Sequence, residues 1–369
     1  MPLDTSFWVA NERISAASLI VFEVETDQGL TGLATVHGRS MPQVCRWAQA
    51  LLSLLRGQDA RQHEQIWHSI FALTLAPPSR HPDGPLRDSF LSHERTPLLA
   101  ALAGIDIALW DLKGKAAGLP VWRLLGAARN EVPAYVTGGY YEEAATPDTV
   151  ADEMAAYARQ GFNAVKLKAG AMSLEQDEAR IAAVRQAVGR GVDIMVDVNC
   201  AFPFDEAVRF AAMLQRHEVF WLEEPLSWFE PVARLRELAD RTPVKLAMGE
   251  SELHSAACCA LADTGAIRYM QFDATRAGGV TEWLRLAEHC ETRQVLMSTH
   301  HDPHIHGHLA AAAPNGFNVE TFPNPRRDPL WDCLYTERAV LKDGKVVLNA
   351  LPGFGFDIDW KVVDRYRAF

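Results

Sequence analysis

Between Val132 and Phe322 the chain repeats one pattern: a short apolar run rich in β-branched and aromatic residues, then a longer stretch with helical apolar spacing. The runs are VPAYVTGGY, NAVKLKAG, DIMVDVN, VFWLEEP, KLAMGE, YMQFDAT, QVLMSTH and FNVET. Consecutive βα units of this kind predict an α/β fold with a TIM-type barrel of seven or eight units, whose enclosed parallel strands are hydrophobic along their length. A doubly wound sheet is the alternative, and the lack of a GxGxxG turn after a first strand disfavours it.

The first third of the chain has a different pattern. LIVFEVETDQGLTGLATV alternates like a strand, turns at Asp27-Gln28-Gly29 and resumes, which is typical of an antiparallel hairpin. Two long helical patterns follow, RWAQALLSLLRG and LLAALAGIDIALWDLKGKAAG, and the second ends at Gly118. We therefore predict an α+β domain over residues 1–128 and the barrel over residues 129–340.

The C-terminal segment and one proline-rich segment complete this division. KVVLNALPGFGFDIDW is strand-like, so we expect the tail, residues 341–369, to pack back against the first domain. The segment from Leu75 to Glu94 contains Pro77, Pro78, Pro82 and Pro85 together with several charges, and it predicts a loop.

Composition excludes several classes of function. The chain carries 47 acidic and 36 basic side chains, a formal net charge of −11 over 369 residues, which disfavours nucleic acid as a partner. No apolar stretch reaches the roughly 18 uncharged residues that a membrane span requires. The N-terminal residues lack the basic and apolar regions of a signal peptide. We expect a globular cytoplasmic protein without a membrane partner.

The six cysteines show neither a CxxC motif nor zinc-type spacing: Cys45, Cys200, Cys258, Cys259, Cys290 and Cys333. We interpret them as reduced structural thiols. A nucleophilic role for Cys200, which closely follows Asp197 and Asn199, is the less favoured interpretation.

Polar side chains stand at the ends of nearly all the predicted barrel strands. They are Lys166, Lys168, Asp197, Glu223, Glu250, Asp273, His300 and Glu320. From Lys168 onward, successive members are 20 to 29 residues apart, about one βα unit each. We expect them to meet at the C-terminal mouth of the barrel, where barrel enzymes carry their active sites.

Three of these side chains predict a metal site. Asp197, Glu223 and Glu250 come from successive strands, and three carboxylates packed together repel one another unless a cation neutralises them. Oxygen ligands favour Mg²⁺ over zinc or copper, and Mg²⁺ keeps positions open for water and an anionic substrate. The sequence therefore predicts one Mg²⁺ ion per site.

Two lysines and one histidine are candidates for proton transfer. Lys166 and Lys168 share one face of their strand because Leu167 points the other way. Two neighbouring ammonium groups near a metal are expected to lower each other's pKa, which suits a general base. His300 is a second candidate, and a nearby Asp273 would orient its ring and support its protonated form.

Seven motifs occur in a fixed order at this spacing: KLK, MVDVN, WLEEP, MGE, FDATRAGGV, MSTH and VET. With them the chain resembles the enolase superfamily, and specifically its mandelate racemase subgroup. The resemblance extends to the first domain through TDQGLTGLA and AGIDIALWDLKGKAAGLPVWRLLG, and to the tail through LPGFG. It implies that the first domain caps the barrel and that the tail completes this cap.

The resemblance also implies an activity: Mg²⁺-dependent abstraction of the proton α to a carboxylate, through a metal-stabilised enediolate. It implies Asp197, Glu223 and Glu250 as ligands. It further implies two acid/base groups on opposite sides of the substrate: Lys168, and His300 activated by Asp273. Glu320 would be a hydrogen-bond donor to the substrate carboxylate. Lys166 and Asn199 would contact that carboxylate or the α-hydroxyl. A small carboxylate substrate and a homo-oligomer complete these expectations.

Two features depart from the family pattern. The family usually has a strand before the loop that covers the site, whereas this chain begins directly at Met1-Pro2-Leu3. We therefore expect residues 2–17 to be a specificity loop that is mobile or held by a neighbouring subunit. The second is a histidine-rich stretch after the seventh run: His300, His301, His304, His306 and His308. We expect most of these to be loop or helix residues, with substrate contacts or a transition-metal site as alternatives.

Three functions remain open at this point. The favoured hypothesis is a lyase, in which Lys168 removes the α-proton of a sugar acid and His300 protonates the departing β-hydroxyl to give a 2-keto-3-deoxy acid. Tyr140, Tyr141, His304 and Arg326 are candidate groups to hydrogen-bond a polyol. The alternatives are a racemase or epimerase with two bases on opposite faces of the α-carbon, and a barrel that only binds a small acid.

Overall fold

The computed structural model of the protein describes residues 1–38, 40–76 and 94–368. The N-terminal part contains four strands and four helices: β1 (Pro2–Trp8), β2 (Arg13–Ala16), β3 (Leu19–Glu25), β4 (Thr31–His37), α1 (Met41–Leu55), α2 (His63–Phe71), α3 (Arg95–Ala117) and α4 (Val121–Leu124). β3 and β4 pair antiparallel around the predicted turn. The loop predicted from Leu75 to Glu94 lies almost entirely outside the described residues.

Helix α3 joins this domain to the barrel and is buried along most of its length. It ends at Gly118, as predicted, where a φ of 65° favours glycine. On the barrel side, Asp106 accepts hydrogen bonds from the backbone N–H (3.0 Å) and the hydroxyl (2.7 Å) of Thr281. The Trp110 indole donates to the same hydroxyl at 3.1 Å. This buried polar contact fixes the capping domain relative to the barrel.

Eight parallel strands follow: β5 (Glu131–Gly138), β6 (Ala164–Lys168), β7 (Asp193–Asp197), β8 (Trp221–Glu223), β9 (Lys245–Met248), β10 (Ile267–Met270), β11 (Leu296–Thr299) and β12 (Gly316–Thr321). Each pairs with the next, and β12 pairs with β5 to close the barrel. All eight predicted runs are therefore strands, and the barrel rather than the doubly wound sheet is confirmed. Ile194 and Val196 of β7 face the helices while Met195 faces the interior, as the alternation of a strand requires.

The barrel helices connect these strands on the outside: α5 (Pro147–Arg159), α6 (Leu174–Val188), α7 (Phe204–Arg216), α8 (Ala233–Ala239), α9 (Ser255–Asp263), α10 (Gly279–Thr292) and α11 (Pro303–Ala312). Capping boxes begin two of them, with Thr146 before α5 and Ser173 before α6. Among the described residues, no helix combines the length and the apolar character needed to cross a bilayer.

The C-terminal part divides its contacts between both domains. Its elements are α12 (Pro329–Cys333), β13 (Tyr335–Glu337), β14 (Val340–Lys342), β15 (Lys345–Val347), β16 (Asp357–Ile358) and α13 (Trp360–Tyr366). β15 pairs antiparallel with the start of β5, so the first part of the predicted tail extends the barrel sheet. The segment around Gly353 and Phe354 does return to the capping domain, where Phe354 N–H donates to Asp111 at 2.8 Å.

Residues 2–16 differ from the loop that was expected. β1 and β2 form an antiparallel hairpin that docks on the chain's own barrel. Trp8 exchanges two backbone hydrogen bonds with Tyr141, at 2.8 and 3.1 Å, and Phe7 packs against Tyr140 with ring centroids 4.4 Å apart. The expectation of a loop is wrong for these residues, because β1 and β2 form a hairpin that main-chain pairing and an aromatic contact join to the barrel.

Candidate active site

The structure brings together all nine side chains that the sequence indicated. They lie on, or within three residues after, the carboxyl ends of β6 to β12: Lys166, Lys168, Asp197, Asn199, Glu223, Glu250, Asp273, His300 and Glu320. All of them are buried or half-buried. Because the strands are parallel and closed into a barrel, these ends form one polar cluster at the mouth.

The three predicted metal ligands are close enough to share one ion. Asp197, Glu223 and Glu250 each offer an oxygen atom within 4.8 Å of the others, and all three are buried. Oε2 of Glu250 is buried without a hydrogen-bond partner among the described residues. An all-oxygen set with an unsatisfied buried carboxylate oxygen fits a hard cation such as Mg²⁺.

Both lysines point into this cluster and pair with its carboxylates. Nζ of Lys166 lies 2.5 Å from Oε1 of Glu223 and 2.8 Å from Oε1 of Glu320. Nζ of Lys168 contacts Oδ2 of Asp197. Leu167 packs in the hydrophobic layer between the strands and the helices, so the predicted alternation is confirmed.

The pKa values of these lysines differ from the expectation. Burial by itself lowers the pKa of Lys168, but the charge of Asp197 raises it above the ordinary value, and the opposing effect of Lys166 is smaller. The pKa of Lys166 is likewise raised, because Glu223 and Glu320 outweigh its burial. Lys166 does lower the pKa of Lys168, as predicted, but the neighbouring carboxylates outweigh this effect, so the pKa of each lysine is raised overall.

His300 and Asp273 form the predicted pair. Nδ1 of His300 lies 2.8 Å from Oδ2 of Asp273, and its Nε2 lies 3.5 Å from Oε2 of Glu250. Burial lowers the pKa of His300, but Glu250 and the hydrogen bond to Asp273 raise it above its ordinary value overall. The structure thus orients the ring and favours its protonated form, as the sequence indicated.

Glu320 is an acceptor in this arrangement, and its role as a donor to the substrate carboxylate stays a prediction. It accepts hydrogen bonds from the Thr137 hydroxyl (2.5 Å) and the His301 backbone N–H (3.1 Å), besides its contact with Lys166. Burial raises the pKa of Glu320, but Lys166 lowers it to about 2 overall. An ionised carboxylate has no proton to donate, so the structure presents Glu320 as an acceptor.

Asn199 and Glu224 line the metal-ligand cluster. Asn199 has a left-handed backbone with a φ of 43°, and its side-chain Oδ1 is buried without a hydrogen-bond partner among the described residues. Glu224, which the sequence analysis did not select, also leaves strand geometry with a φ of 45°. Burial and the charges of Glu250 and Asp197 raise the pKa of Glu224 to about 7. The only sequence signal for Glu224 is its place as the second glutamate of WLEEP, directly after the predicted ligand Glu223.

The polyol-binding candidates separate into different environments. The pKa of Tyr140 responds to Lys168 and Glu320, which places its hydroxyl beside the site. Tyr141 instead donates to Asp177 at 2.7 Å. Arg326 is exposed, whereas its neighbour Arg327 is half-buried, with its guanidinium over the rings of both Phe7 and Tyr140, 4.8 Å from each centroid. The arginine at the mouth is therefore one position later than the sequence analysis indicated.

The additional histidines have internal partners. Nε2 of His304 lies 3.1 Å from the Thr35 hydroxyl, and Nδ1 of His308 accepts from the Trp122 N–H at 3.1 Å. Nε2 of His306 accepts from Ala274 N–H at 3.0 Å, so the proton of that ring is on Nδ1. His304, His306 and His308 are therefore structural, as expected, whereas His301 contacts groups around the site.

Cys200 is not an activated nucleophile. It is a free thiol with a left-handed φ of 58°. Burial and the nearby Glu224 charge raise its pKa far above the ordinary value, so its thiolate is disfavoured. The interpretation of Cys200 as a structural thiol stands.

Comparisons with known proteins agree with this geometry. Residues 149–362 match the family described as Enolase C-terminal domain-like, and residues 2–126 match the N-terminal domain of the mandelate racemase / muconate lactonizing enzyme family. Arabinonate dehydratase of Saccharolobus solfataricus is 29% identical over 95% of this chain and 91% of its own length. D-Galactarolactone cycloisomerase of Agrobacterium fabrum is 31% identical over 99% of this chain and 95% of its own.

A solved structure also matches the whole architecture. L-Talarate dehydratase of Polaromonas sp. JS666, complexed with Mg and L-glucarate, superimposes with a TM-score of 0.83 at 27% identity, covering 99% of this chain and 96% of that one. The relatives thus include dehydratases and a cycloisomerase of sugar acids and their lactones. The chain belongs to the mandelate racemase/muconate lactonizing enzyme subgroup of the enolase superfamily and is an enzyme of that superfamily.

Proposed function

We propose that this enzyme dehydrates a sugar acid to a 2-keto-3-deoxy acid, starting with removal of the proton α to the carboxylate. One observation carries the proposal. Lys168 on β6 and the His300–Asp273 pair after β11 and β10 flank the carboxylates of β7, β8 and β9, so two proton-transfer groups face one anion-binding position from different sides. Dehydration requires that arrangement, because one group removes a proton while another donates one.

We assign Asp197, Glu223 and Glu250 as the residues that hold one Mg²⁺ ion, because their oxygens converge and are buried. When bound, the ion would neutralise the negative charge that develops on the substrate carboxylate after proton loss. Lys166 and Asn199, beside the same carboxylates, are assigned to the substrate carboxylate or α-hydroxyl. Glu320 holds Lys166 in place through their 2.8 Å contact.

The proton transfers then follow from the chain's own residues. Lys168 leaves Asp197, passes one proton to solvent and, as a neutral amine, accepts the substrate α-proton. The electron pair of the broken C–H bond moves onto the substrate carboxylate, and it then returns to form the bond between the α- and β-carbons as the C–O bond to the β-hydroxyl breaks. His300 gives its ring proton to that hydroxyl, which departs as water, and the enol product ketonises. Both proton transfers are complete with these two groups.

A second reaction fits the same two groups. A base on each side of the α-carbon also permits inversion, and one relative is a cycloisomerase. A racemase or epimerase would use Lys168 and His300 in turn and would lose no water. The assay therefore has to separate loss of water from exchange of the α-proton.

The test is incubation of the Mg²⁺-loaded protein in D₂O with a panel of aldonates and aldarates, including L-glucarate, arabinonate and galactarate, followed by mass spectrometry. We expect a product short of one water from at least one acid, and His300→Asn should abolish it. Deuterium at the α-carbon without loss of water would overturn the lyase in favour of the isomerase. Mg²⁺ binding with neither product nor deuterium incorporation across the panel would contradict both.

A further inference from the structure

His37 of the capping domain reaches the barrel beside the His300–Asp273 pair. It is the last residue of β4, and its side chain is 17% exposed. Nδ1 contacts Oδ2 of Asp302, and Nε2 lies 3.5 Å from Oδ2 of Asp273. One imidazole from the first domain therefore spans two buried carboxylates of the second.

A threonine links the same two carboxylates. The Thr275 hydroxyl oxygen lies 2.7 Å from Oδ1 of Asp273 and 3.0 Å from Oδ2 of Asp302. The hydroxyl carries one proton, so it can donate fully to one carboxylate only. When Thr275 donates to Asp273, the hydrogen bond that Asp302 needs comes from Nδ1–H of His37. Nδ1 of His37 also lies 3.2 Å from the Thr275 hydroxyl oxygen, so His37 donates toward both Asp302 and Thr275, and Thr275 donates on to Asp273, the partner of His300.

The backbone at Asp302 is arranged for this contact at a cost in stability. His301 and Asp302 both have left-handed backbones, with φ values of 53° and 41°, which non-glycine residues adopt unfavourably. Asp302 also occupies the N-cap position of α11, yet its side chain makes no capping hydrogen bond. An N-terminal aspartate ordinarily stabilises a helix through that bond. This backbone geometry does not stabilise the fold, whereas it does place the Asp302 carboxylate beside the site.

A metal ion does not explain the cluster either. His37, His301 and Asp302 have ligand atoms within 4.8 Å of one another. However, the rings of His37 and His301 pack directly on each other in a tilted arrangement, with centroids 4.0 Å apart and an interplanar angle of 32°. Nδ1 of His37 is already in direct contact with Asp302. Hydrogen bonding accounts for these contacts without a second ion.

We propose that His37 and Asp302 are positioning residues for the His300–Asp273 pair, so that the proton-donating histidine is held correctly only when the capping domain is docked. The inference rests on the proposed function of His300 as the acid. Neither residue touches the reacting atoms in this role. Their effect is to fix the carboxylate that orients the imidazole, as hydrogen-bond partners of a functional ligand do elsewhere.

The matched variants come from one strand of the capping domain. His37→Phe keeps a ring against His301 and removes both nitrogen atoms, and His37→Asn restores an amide donor near the position of Nδ1. Thr35→Val is the control, because Thr35 lies two residues earlier on β4 and contacts His304 of α11 instead. It weakens the same domain contact without touching the His300–Asp273 pair.

On the acid identified by the assay above, His37→Phe should lower the kcat for dehydration by about 10- to 100-fold. KM should stay within about twofold, and α-proton exchange by Lys168 should persist. His37→Asn should recover most of the kcat, and Thr35→Val should leave kcat unchanged. Two outcomes would show a merely structural role and overturn the proposal. One is that His37→Phe loses dehydration and α-proton exchange equally. The other is that His37→Phe and Thr35→Val lose the same factor in kcat.

A second measurement needs no substrate and separates failure of this inference from failure of the proposed function. Ring ¹⁵N NMR of the histidine-labelled, Mg²⁺-loaded protein, with the His300 signals assigned from His300→Asn, should show them shifted in His37→Phe and unchanged in Thr35→Val. Unshifted His300 signals in His37→Phe would overturn the inference. The inference would also be overturned if the purified wild-type protein held one equivalent of a transition metal that the His37→Phe variant lacked.

Discussion

Oδ2 of Asp273 forms a 2.8 Å hydrogen bond with Nδ1 of His300. Its other oxygen accepts hydrogen bonds from the backbone N–H and the hydroxyl of Thr275, at 2.8 and 2.7 Å. The carboxylate is thus held on both oxygens inside a buried pocket. Burial raises the pKa of Asp273, but the charge of His37 and the hydrogen bond from His300 lower it well below its usual range. Asp273 is ionised throughout the range in which His300 titrates, which fixes the ring.

We expect Asp273→Asn to lower the kcat for dehydration by about 10²- to 10⁴-fold, because general acid catalysis needs an oriented, protonated imidazole. Mg²⁺ affinity should stay within about threefold, since Asp273 is not one of the assigned ligands. Steady-state kinetics and calorimetric Mg²⁺ titration measure the two effects. Wild-type kcat in Asp273→Asn would remove His300 from the acid role.

Glu250→Gln should weaken Mg²⁺ binding at least tenfold, because it removes one charged oxygen from the three-carboxylate set. Glu252→Gln, two residues later on the same loop and outside that set, is the matched control. Isothermal titration calorimetry of both variants checks the assignment. Equal Mg²⁺ affinities in the two variants would place the ion elsewhere.

Phe7→Ala should raise KM several-fold with a small change in kcat. Phe7 packs against Tyr140 and over the Arg327 guanidinium, and the hairpin that carries it also reaches Asn199 through Asn11, whose amide donates to the Asn199 carbonyl at 3.1 Å. Loosening the hairpin therefore affects substrate binding more than proton transfer. Leu3→Ala, also in β1, provides a comparison, and a kcat loss without a KM change in Phe7→Ala would contradict this role.

The contribution of His308 to stability should fall on acidification between about pH 6.5 and pH 3. Burial lowers the pKa of His308 to about 3, and its Nδ1 must stay unprotonated to accept from Trp122 N–H. Below the unfolded pKa of about 6.5 the unfolded chain binds a proton that the folded chain excludes, so each pH unit removes up to about 1.4 kcal/mol. His304, whose pKa burial also lowers to about 3, acts in the same direction.

Urea unfolding at pH 7.5, 6.5 and 5.5 measures this slope. His308→Asn keeps an acceptor for Trp122 and removes the titrating ring, so its unfolding free energy should depend less on pH than that of the wild type. His289→Asn, at a half-exposed ion pair with Asp263, is the control. Equal slopes in the wild type and His308→Asn would contradict the assignment to His308.

Much of the site was predictable because barrel topology converts sequence spacing into proximity. Asp197 and Glu223 directly follow a buried apolar run, Glu250 follows one after Gly249, and parallel strands bring such positions to one rim. The same reasoning located Lys168 and His300. It needed no knowledge of loop geometry, because strand ends are positioned by the sheet itself.

Other features depended on contacts between distant segments. The pKa values of Lys166 and Lys168 are decided by carboxylates on neighbouring strands, which outweigh the repulsion between two lysines that the sequence shows side by side. Arg327 rather than Arg326 contacts the rings of Phe7 and Tyr140, because an irregular loop has no period from which a side-chain direction follows. The Glu224 backbone leaves strand geometry at the point where alternation was assumed.

The sequence by itself determined the eight strands, the cap and barrel division and the identity of the polar rim, because local hydrophobic periodicity and a repeated unit length specify those features. Only the tertiary structure decided which charges pair, how residues 2–16 cover the mouth and that His37 meets Asp302 across the domain boundary. Those outcomes depend on distances between groups far apart in the chain. Electrostatic and hydrogen-bond energies are set by such distances and by burial, and neither is encoded in local periodicity.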